Sequence, residues 1–187
     1  MIWPPLLSHD RLDDGEVSLR SYSFADAEDL FEALRDERVW EHIPRTVPKD
    51  FSTLDADIVA SIASGMWLPF TVRRAGGVVG RTSLIWDPSA PEGVEIGGTQ
   101  FTPAVWGTGI NMRAKALLIG EVFAQGAECI RFRTDERNLR SAAAIRKLGA
   151  TDLGVHQDTI IRRDGSTRRS RFFRLDPPTE YVSTPQS

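Results

Sequence analysis

Three β-rich segments follow one another between residues 67 and 102, and this run constrains the fold more than any other feature. The segments read WLPFTVR (67–73), VVGRTSLIW (78–86) and VEIGGTQFT (94–102). The turn Ala-Gly-Gly joins the first two, and the turn DPSAPEG joins the second pair, so the pattern predicts consecutive hairpins. Consecutive hairpins exclude a uniformly doubly wound parallel sheet. The two glycines inside the third segment indicate a bulge or a close backbone approach.

Helical patterns precede this run, after a short predicted strand at 17–20. Ser23, with Asp26 three residues later, reads as a carboxylate variant of the capping box and predicts a first helix. A loop with two prolines is predicted over 40–51. Ser52 is predicted to cap a second helix that ends near Ser64.

The second half of the chain alternates helices and strands. The stretch VWGTGINMRAKALL opens a helix that is predicted to end near Gly126. A strand at 129–134 and a short helix in NLRSAAAIRKLGA follow. Strands at 153–161 and 168–175 form a hairpin around Asp164-Gly165. The order β-α-α-β-β-β-α-β-α-β-β predicts one mixed-sheet α/β domain over residues 1–176, with a flexible tail at 177–187.

Composition narrows the class of protein. The chain has 187 residues and a net charge of −3, which argues against nucleic-acid binding through bulk electrostatics. The N-terminus is a poor signal peptide, and no apolar run approaches the roughly 18 residues of a membrane span. Cys129 is the single cysteine; it cannot form an internal disulfide, and it reads as a core residue. We expect a cytoplasmic monomer or homodimer with no membrane or nucleic-acid partner and no metal, since no ligand spacing suggests one.

Gly107 and Gly109 stand two residues apart at the mouth of the predicted helix. The first amides of a helix have no internal acceptor and suit a phosphate, and residues without side chains let a diphosphate approach. A simple tight turn is the alternative for a lone Gly-x-Gly. The third glycine of a dinucleotide fingerprint and the Gly-Lys-Ser/Thr ending of a P-loop are both missing, so NAD and ATP are not favoured.

Two motifs together carry a family resemblance. EIGGTQFTP…VWGTGINMRAKALL, followed by RTDERNLRSAAAIRKLGA, resembles the GNAT family of N-acetyltransferases, with its ribosomal-protein N-terminal acetyltransferase-like branch as the closest match. The resemblance spans about residues 17–175 and is best over Glu95–Ala150. It implies a single-domain, mixed and largely antiparallel sheet flanked by helices, with a splayed and bulged central strand.

The resemblance also implies a site for acetyl-CoA as co-substrate. The Gly-x-Gly turn would hold the pyrophosphate, the splayed strand would bind the pantetheine arm, and Asn138 would lie near the thioester. Backbone N–H groups near Gln100 to Thr102 would polarise the thioester carbonyl. The predicted CoA-binding residues are Gln100, Phe101, Thr102, Trp106, Gly107, Thr108, Gly109, Ile110, Asn111 and Asn138.

Two departures from the family pattern shape the predicted mechanism. Ala104 stands where an arginine or glutamine is usual. Ile145 occupies the position that often carries a tyrosine acid, so a tyrosine acid at that position is excluded. Ser141 is therefore predicted to donate a hydrogen bond to the leaving thiolate, and Glu95 is the candidate base, acting through water. His156 and Asp158, on a later strand, are the alternative bases.

The predicted activity is transfer of acetyl from acetyl-CoA to a primary amine by direct attack. The acceptor is a protein N-terminus, an amino acid or a small amine, and Trp40 and His42 fall in the loop that resembles the acceptor-site wall. Two alternatives stay open: a non-catalytic acyl-CoA-binding module, and an unrelated α/β domain with an accidental glycine turn. Three arginines are candidates for the 3′-phosphate of CoA or for surface charges: Arg113, Arg137 and Arg146.

Overall fold

One eight-stranded sheet organises the protein. The computed structural model describes residues 2–5 and 11–178. The strands are β1 (Arg11–Asp13), β2 (Val17–Ser21), β3 (Trp67–Arg74), β4 (Gly77–Trp86), β5 (Gly93–Phe101), β6 (Cys129–Asp135), β7 (Thr151–Ile161) and β8 (Thr167–Leu175).

The strand order across the sheet is β1-β2-β3-β4-β5-β6-β8-β7. Every neighbouring pair is antiparallel except β5 and β6, which run parallel. This confirms the predicted hairpins and the mixed α/β class. The sequence did not predict β1, because three residues are too few to show an alternating pattern.

Four helices accompany the sheet: α1 (Ala27–Leu34), α2 (Phe51–Ala63), α3 (Ile110–Ala124) and α4 (Leu139–Arg146). The connection from β5 to the parallel strand β6 runs through α3, as a parallel pair requires a crossover. Gly126 follows the end of α3 with φ +79°, close to the predicted boundary.

Two predicted helix starts were wrong. Ser23 makes no capping hydrogen bond, and a 3₁₀ turn over Phe24–Asp26 precedes α1. Asp50, not Ser52, caps α2, because its extended backbone lets Oδ1 accept the Thr53 N–H at 2.8 Å. A carboxylate at this position also suits the positive end of the helix dipole. The second helix therefore begins one residue before the predicted cap.

The apolar residues form two buried clusters. The larger joins the sheet to α3 and α4, and it contains Leu84, Ile96, Leu118 and Phe132. The smaller lies between α1, α2 and the turn after α1. Cys129 is fully buried and unpaired, which confirms its assignment to the core. The domain boundary at 176 stays a prediction, and the tail from residue 179 onward lies outside the described residues.

A buried ion pair fixes the end of β6 to the β7–β8 hairpin. Arg162 donates to both oxygens of Asp135, at 2.7 and 2.9 Å, and the two side chains are only 11% and 3% exposed. The Arg137 amide also donates to Asp135. Burial opposes ionisation of Asp135, but the hydrogen bonds from Arg162 and Arg137 hold its pKa below the ordinary value. The pair therefore positions the loop that leads into α4.

We expect Asp135→Asn to lower the free energy of unfolding by about 3 kcal/mol, because it leaves the buried Arg162 with only its longer ion-pair contact of 3.5 Å to Glu136. Asp164→Asn is the matched control: Asp164 pairs with Arg137 but is 53% exposed, so its loss should lower the free energy of unfolding far less than Asp135→Asn does. Chemical denaturation measures both. The pKa of Asp135 is lower in the folded than in the unfolded protein. Its contribution to the free energy of unfolding should therefore be present above about pH 4 and be lost as the pH falls further. Equal costs for the two variants would contradict this role.

Candidate functional site

A cavity of about 780 Å³ opens where β5 and β6 part. The two strands pair only at Gly93–Glu95 with Cys129–Arg131, and beyond these residues they separate. The cavity walls come from β4, β5, β6, α3, α4 and the segment that follows α1. The opening therefore leads from the start of α3 to the last paired residues of β5.

A β-bulge shapes the β5 wall of the cavity, as the two glycines predicted. Arg81 pairs with Gln100 and Ser83 pairs with Gly97, so two residues of β5 face one residue of β4 between these pairs. Gly98 there has φ +58°, and a Cβ on it would lie 2.8 Å from the Trp67 ring. Only glycine fits this backbone conformation and this close approach.

The Gly-x-Gly turn closes the other end of the cavity. Gly107 and Gly109 have φ values of +76° and +89°, and a Cβ on either would meet no atom within 4 Å. Both residues line the cavity, and no packed atom lies where a side chain would begin. The helix α3 begins directly after Gly109, so its first N–H groups lack intrahelical acceptors and lie at this opening. Free N–H groups at the start of a helix are a suitable environment for an anion.

Most of the predicted CoA-binding residues do line this cavity. The residues that line it are Gln100, Phe101, Trp106, Gly107, Gly109, Asn111 and Asn138. Trp106 is held by a hydrogen bond from its Nε1 to the Phe101 carbonyl, and the Arg140 guanidinium lies 3.6 Å from its ring centroid. Asn111 Oδ1 is buried and has no hydrogen-bond partner among the described residues. A ligand that donates a hydrogen bond would satisfy it.

Three predicted binding residues lie elsewhere, for different reasons. The Thr102 N–H donates to the Val79 carbonyl at 2.9 Å, so this amide is already used and cannot polarise a thioester carbonyl. The Thr108 hydroxyl donates to the Val105 carbonyl. The Ile110 side chain is fully buried in the larger core cluster. None of the three contributes a side chain to the cavity wall.

Glu95 occupies the last position at which β5 pairs with β6, and its side chain lines the cavity. Burial raises the pKa of this carboxyl, while the charge of Arg133 opposes the shift. Arg133 Nε lies 3.7 Å from Glu95 Oε2. A carboxylate with a raised pKa beside a cavity is a suitable proton acceptor. The role of Glu95 as the base stays a prediction.

The two alternative bases, His156 and Asp158, have less suitable positions than Glu95 for accepting a proton in the cavity. His156 is exposed, its Nε2 lies 3.2 Å from the Leu153 carbonyl oxygen, and it does not line the cavity. Asp158 Oδ2 accepts the Ser170 hydroxyl at 2.7 Å and lies 3.5 Å from Arg133. Burial opposes its ionisation, but the Ser170 hydrogen bond and the Arg133 charge keep its pKa low. Asp158 thus acts on the site through Arg133, which it shares with Glu95.

Asn138 begins α4 and fixes Ser141 in the cavity wall. Its Oδ1 accepts the Ser141 N–H at 3.0 Å, which confirms its capping role. Ser141 and Ile145 both line the cavity from α4, and Ile145 is 3% exposed. The position where the family often has a tyrosine hydroxyl is therefore apolar and packed.

Lys115 and Arg81 are among the cations of the cavity that sequence reasoning missed. Lys115 is 5% exposed, and burial lowers its pKa to about 8. Arg81 Nε donates to Gln100 Oε1 at 2.8 Å, and burial lowers its pKa to about 10. Asn111 and Lys115 are four residues apart on α3, and this polar pair at helical spacing is a signal that could have pointed to Lys115. No comparable local signal marks Arg81.

The arginines considered for the 3′-phosphate have carboxylate partners. Arg113 pairs with Asp14 at 2.8 Å, Arg137 with Asp164 at 2.7 Å, and Arg146 with Asp152 at 2.8 Å. All three side chains are about half exposed.

Trp40 and His42 line the cavity, as expected for the wall of the acceptor site. Trp40 Nε1 donates a hydrogen bond to the Leu34 carbonyl.

Comparison with models of protein families shows to which family the chain belongs. The model of the acetyltransferase (GNAT) domain matches residues 16–151. The chain belongs to the GNAT acetyltransferase family. The resemblance inferred from the two motifs is thus confirmed, and the GNAT chain carries an acetyltransferase domain. Comparison with curated proteins gave no significant match.

Solved structures share the fold of this acetyltransferase. A GCN5-related N-acetyltransferase from Brucella melitensis is 21% identical with a TM-score of 0.81, over 92% of this chain and 80% of that one. Ribosomal-protein-S5-alanine acetyltransferase from Vibrio fischeri is 16% identical with a TM-score of 0.73, over 90% and 97%. Mycobacterium smegmatis RimJ, in complex with CoA-disulfide, is 19% identical with a TM-score of 0.74, over 90% and 84%.

Two absences within residues 2–5 and 11–178 bear on function. No group of three or more His, Cys, Asp or Glu side chains in this part of the chain has the arrangement of a metal site. None of its helices combines the length and the apolar character needed to cross a bilayer.

Proposed function

We propose that this GNAT protein transfers an acetyl group from acetyl-CoA to a primary amine by direct attack. The observation that carries the proposal is the continuity of one cavity, from the glycine turn at Gly107 and Gly109 to the partly buried carboxyl of Glu95. A phosphate site and a proton acceptor are the two groups that such a reaction needs from the protein at its two ends.

The residues of the cavity fit coenzyme A. The turn with Gly107 and Gly109 would receive the pyrophosphate through the free amides at the start of α3. The separated part of β5 would lie along the pantetheine arm, and the buried Oδ1 of Asn111 is an acceptor without a partner among the described residues. Bound there, acetyl-CoA would supply an activated acyl group.

Glu95 would act as the base, and Ser141 would act as a hydrogen-bond donor. An α-amine with a pKa near 8 requires roughly 1 kcal/mol for deprotonation at pH 7, and a lysine amine roughly 4–5 kcal/mol. Glu95, through a water molecule, would accept this proton. The Ser141 hydroxyl would donate a hydrogen bond to the departing sulfur, in place of the absent tyrosine at Ile145. Cys129, the single cysteine, is fully buried in the core, so we propose no acyl-enzyme on it.

The acceptor would enter from the side of Trp40 and His42, which line the cavity opposite α3. A protein N-terminus, an amino acid and a small amine are the three classes of acceptor. We place the enzyme in the cytoplasm, since a reducing compartment suits its single buried cysteine.

Turnover of acetyl-CoA with a panel of amines tests the proposed function. The panel contains peptides with free N-termini, free amino acids and diamines, and released CoA is measured with a thiol reagent. Parallel calorimetric titration with acetyl-CoA reports binding alone. Binding with turnover on at least one amine supports the proposal. Binding without turnover on any class indicates a non-catalytic acyl-CoA module, and absence of binding overturns the CoA assignment.

Ser141→Ala should lower kcat by about 10- to 100-fold and leave the affinity for acetyl-CoA within about twofold, because a donor to the leaving group acts mainly in the transition state. Steady-state kinetics and calorimetry measure the two effects. The matched hydroxyl control is Ser64→Ala, since Ser64 bonds to the Ser61 carbonyl at the exposed end of α2. An unchanged kcat in Ser141→Ala would remove Ser141 from the leaving-group role.

A further inference from the structure

Lys115 places a buried ammonium group at the floor of the opening between β5 and β6. Its Nζ lies 3.2 Å from Thr99 Oγ1 on β5 and 5.3 Å from the ring centroid of Phe132 on β6. The residue lines the cavity although it is only 5% exposed. It therefore sits between the two separated strands and faces the space that they enclose.

This ammonium group has no close counter-charge. Within residues 2–5 and 11–178, no carboxylate forms an ion pair with Lys115, and its one hydrogen-bond partner is the neutral hydroxyl of Thr99. Glu95 acts on it through charge alone, while Arg133 holds Glu95 at 3.7 Å. A buried cation without a carboxylate partner costs free energy that a methionine of similar size would avoid. Its position is explained if negative charge develops beside it during the reaction.

We propose that Lys115 stabilises the coenzyme A thiolate as it leaves the acyl group and donates the proton that converts it to the thiol. This assignment rests on the proposed acetyl transfer. The amine nitrogen forms a bond to the carbonyl carbon, the carbon–sulfur bond breaks, and its electron pair stays on sulfur. One proton passes from Lys115 Nζ to sulfur, and one passes from the amine to Glu95. Transfer of the proton from Glu95 to Lys115, through water, restores both groups.

The groups around Lys115 suit a proton donor. Burial lowers its pKa to about 8, close to the value of about 8.5 for a free thiol, and such a match favours proton transfer. On β5, Glu95 raises this pKa. On β6, Arg133 pairs with Glu95, and Phe132 presents its ring. On β4, the Thr82 hydroxyl lies 2.9 Å from that of Thr99 and adds no charge.

The thiol pKa of bound coenzyme A tests the assignment without any acceptor amine. Coenzyme A is titrated with pH on the enzyme, and thiolate is followed by its ultraviolet absorbance. A cation close to the sulfur should lower the thiol pKa by about 1–3 units relative to free coenzyme A. Lys115→Met should raise it by at least one unit from the wild-type value, and Lys115→Arg, which keeps the charge, should retain most of the lowering. Lys49→Met is the control, since Lys49 is 83% exposed and does not line the cavity.

The outcomes separate this inference from the proposed function. If wild type does not bind coenzyme A, the proposed function fails. If it binds and Lys115→Met leaves the thiol pKa unchanged, the role of Lys115 is overturned. An unchanged thiol pKa with a selective loss of succinyl-CoA binding would assign the ammonium to an acidic acyl chain instead. Lys115→Gln repeats the test without charge if the methionine variant does not fold.

Discussion

Gly109→Trp should abolish saturable binding of acetyl-CoA, with a loss of affinity of at least about 100-fold. An indole at this position would extend from a turn that lines the cavity, into space where a Cβ would have no atom within 4 Å. It would also keep phosphate oxygens from the first N–H groups of α3. Two lost charge-assisted hydrogen bonds are worth about 3 kcal/mol, which corresponds to about 100-fold. Calorimetric titration measures the effect directly.

Gly126→Trp is the matched control for this experiment. Gly126 has φ +79° at the opposite end of the same helix, and a Cβ there also meets open space. Both variants therefore impose a similar strain on a left-handed backbone, of about 1–2 kcal/mol. Only the variant at the start of α3 should lose binding. If both lose it, the cause is destabilisation of the helix. If neither does, the turn does not hold the pyrophosphate.

Glu95→Gln should lower kcat by about 100- to 1000-fold, the range expected when a general base is removed. Burial raises the pKa of Glu95, so the carboxylate form, which accepts the proton, dominates only above this raised value. Above the pKa of the amine, the acceptor is already neutral and needs the base less. The ratio of wild-type to variant kcat should therefore be largest between these two pKa values and should fall at higher pH.

Steady-state kinetics over pH, with an acceptor identified in the amine screen, measures this ratio. Glu92→Gln is the matched control. Glu92 lies three residues earlier, pairs with Arg131 of β6 at 3.1 Å and is 40% exposed. It should retain the wild-type pH profile. A Glu95→Gln variant with an unaltered profile would exclude Glu95 as the base and direct attention to Asp158, the other carboxylate that contacts Arg133.

Local signals were sufficient to predict the hairpins, the bulge and the glycine turn. Turn residues and glycines act on their own backbone, so their effects can be inferred from neighbouring letters. Asn138 was recognised as a helix cap for the same reason. The caps of α1 and α2 were misplaced because Asp50 and Ser52, or Ser23 and Asp26, offer competing side chains within a few residues, and only the backbone angles decide between them.

The rest of the site depends on contacts between distant segments. Lys115 and Thr99 are 16 residues apart, and Arg81 and Gln100 are 19 apart. Their pairing follows from the strand register and from the crossover through α3, neither of which a local pattern encodes. The Thr102 amide was assigned to the ligand because its hydrogen bond to Val79 belongs to the same long-range register. The burial of the Lys115 ammonium group could not be inferred from the sequence for the same reason.

The parallel seam between β5 and β6 has a mechanical consequence. Three residue pairs join these strands, whereas β6 and β8 share six. The sheet thus consists of two parts that meet along a short edge, and α3 connects them. A ligand that lies along the unpaired length of β5 would sit between the two parts of the sheet and contact both. Ligand binding would then reduce the motion of both parts of the sheet. Amide hydrogen exchange should become slower on both sides of the β5–β6 seam.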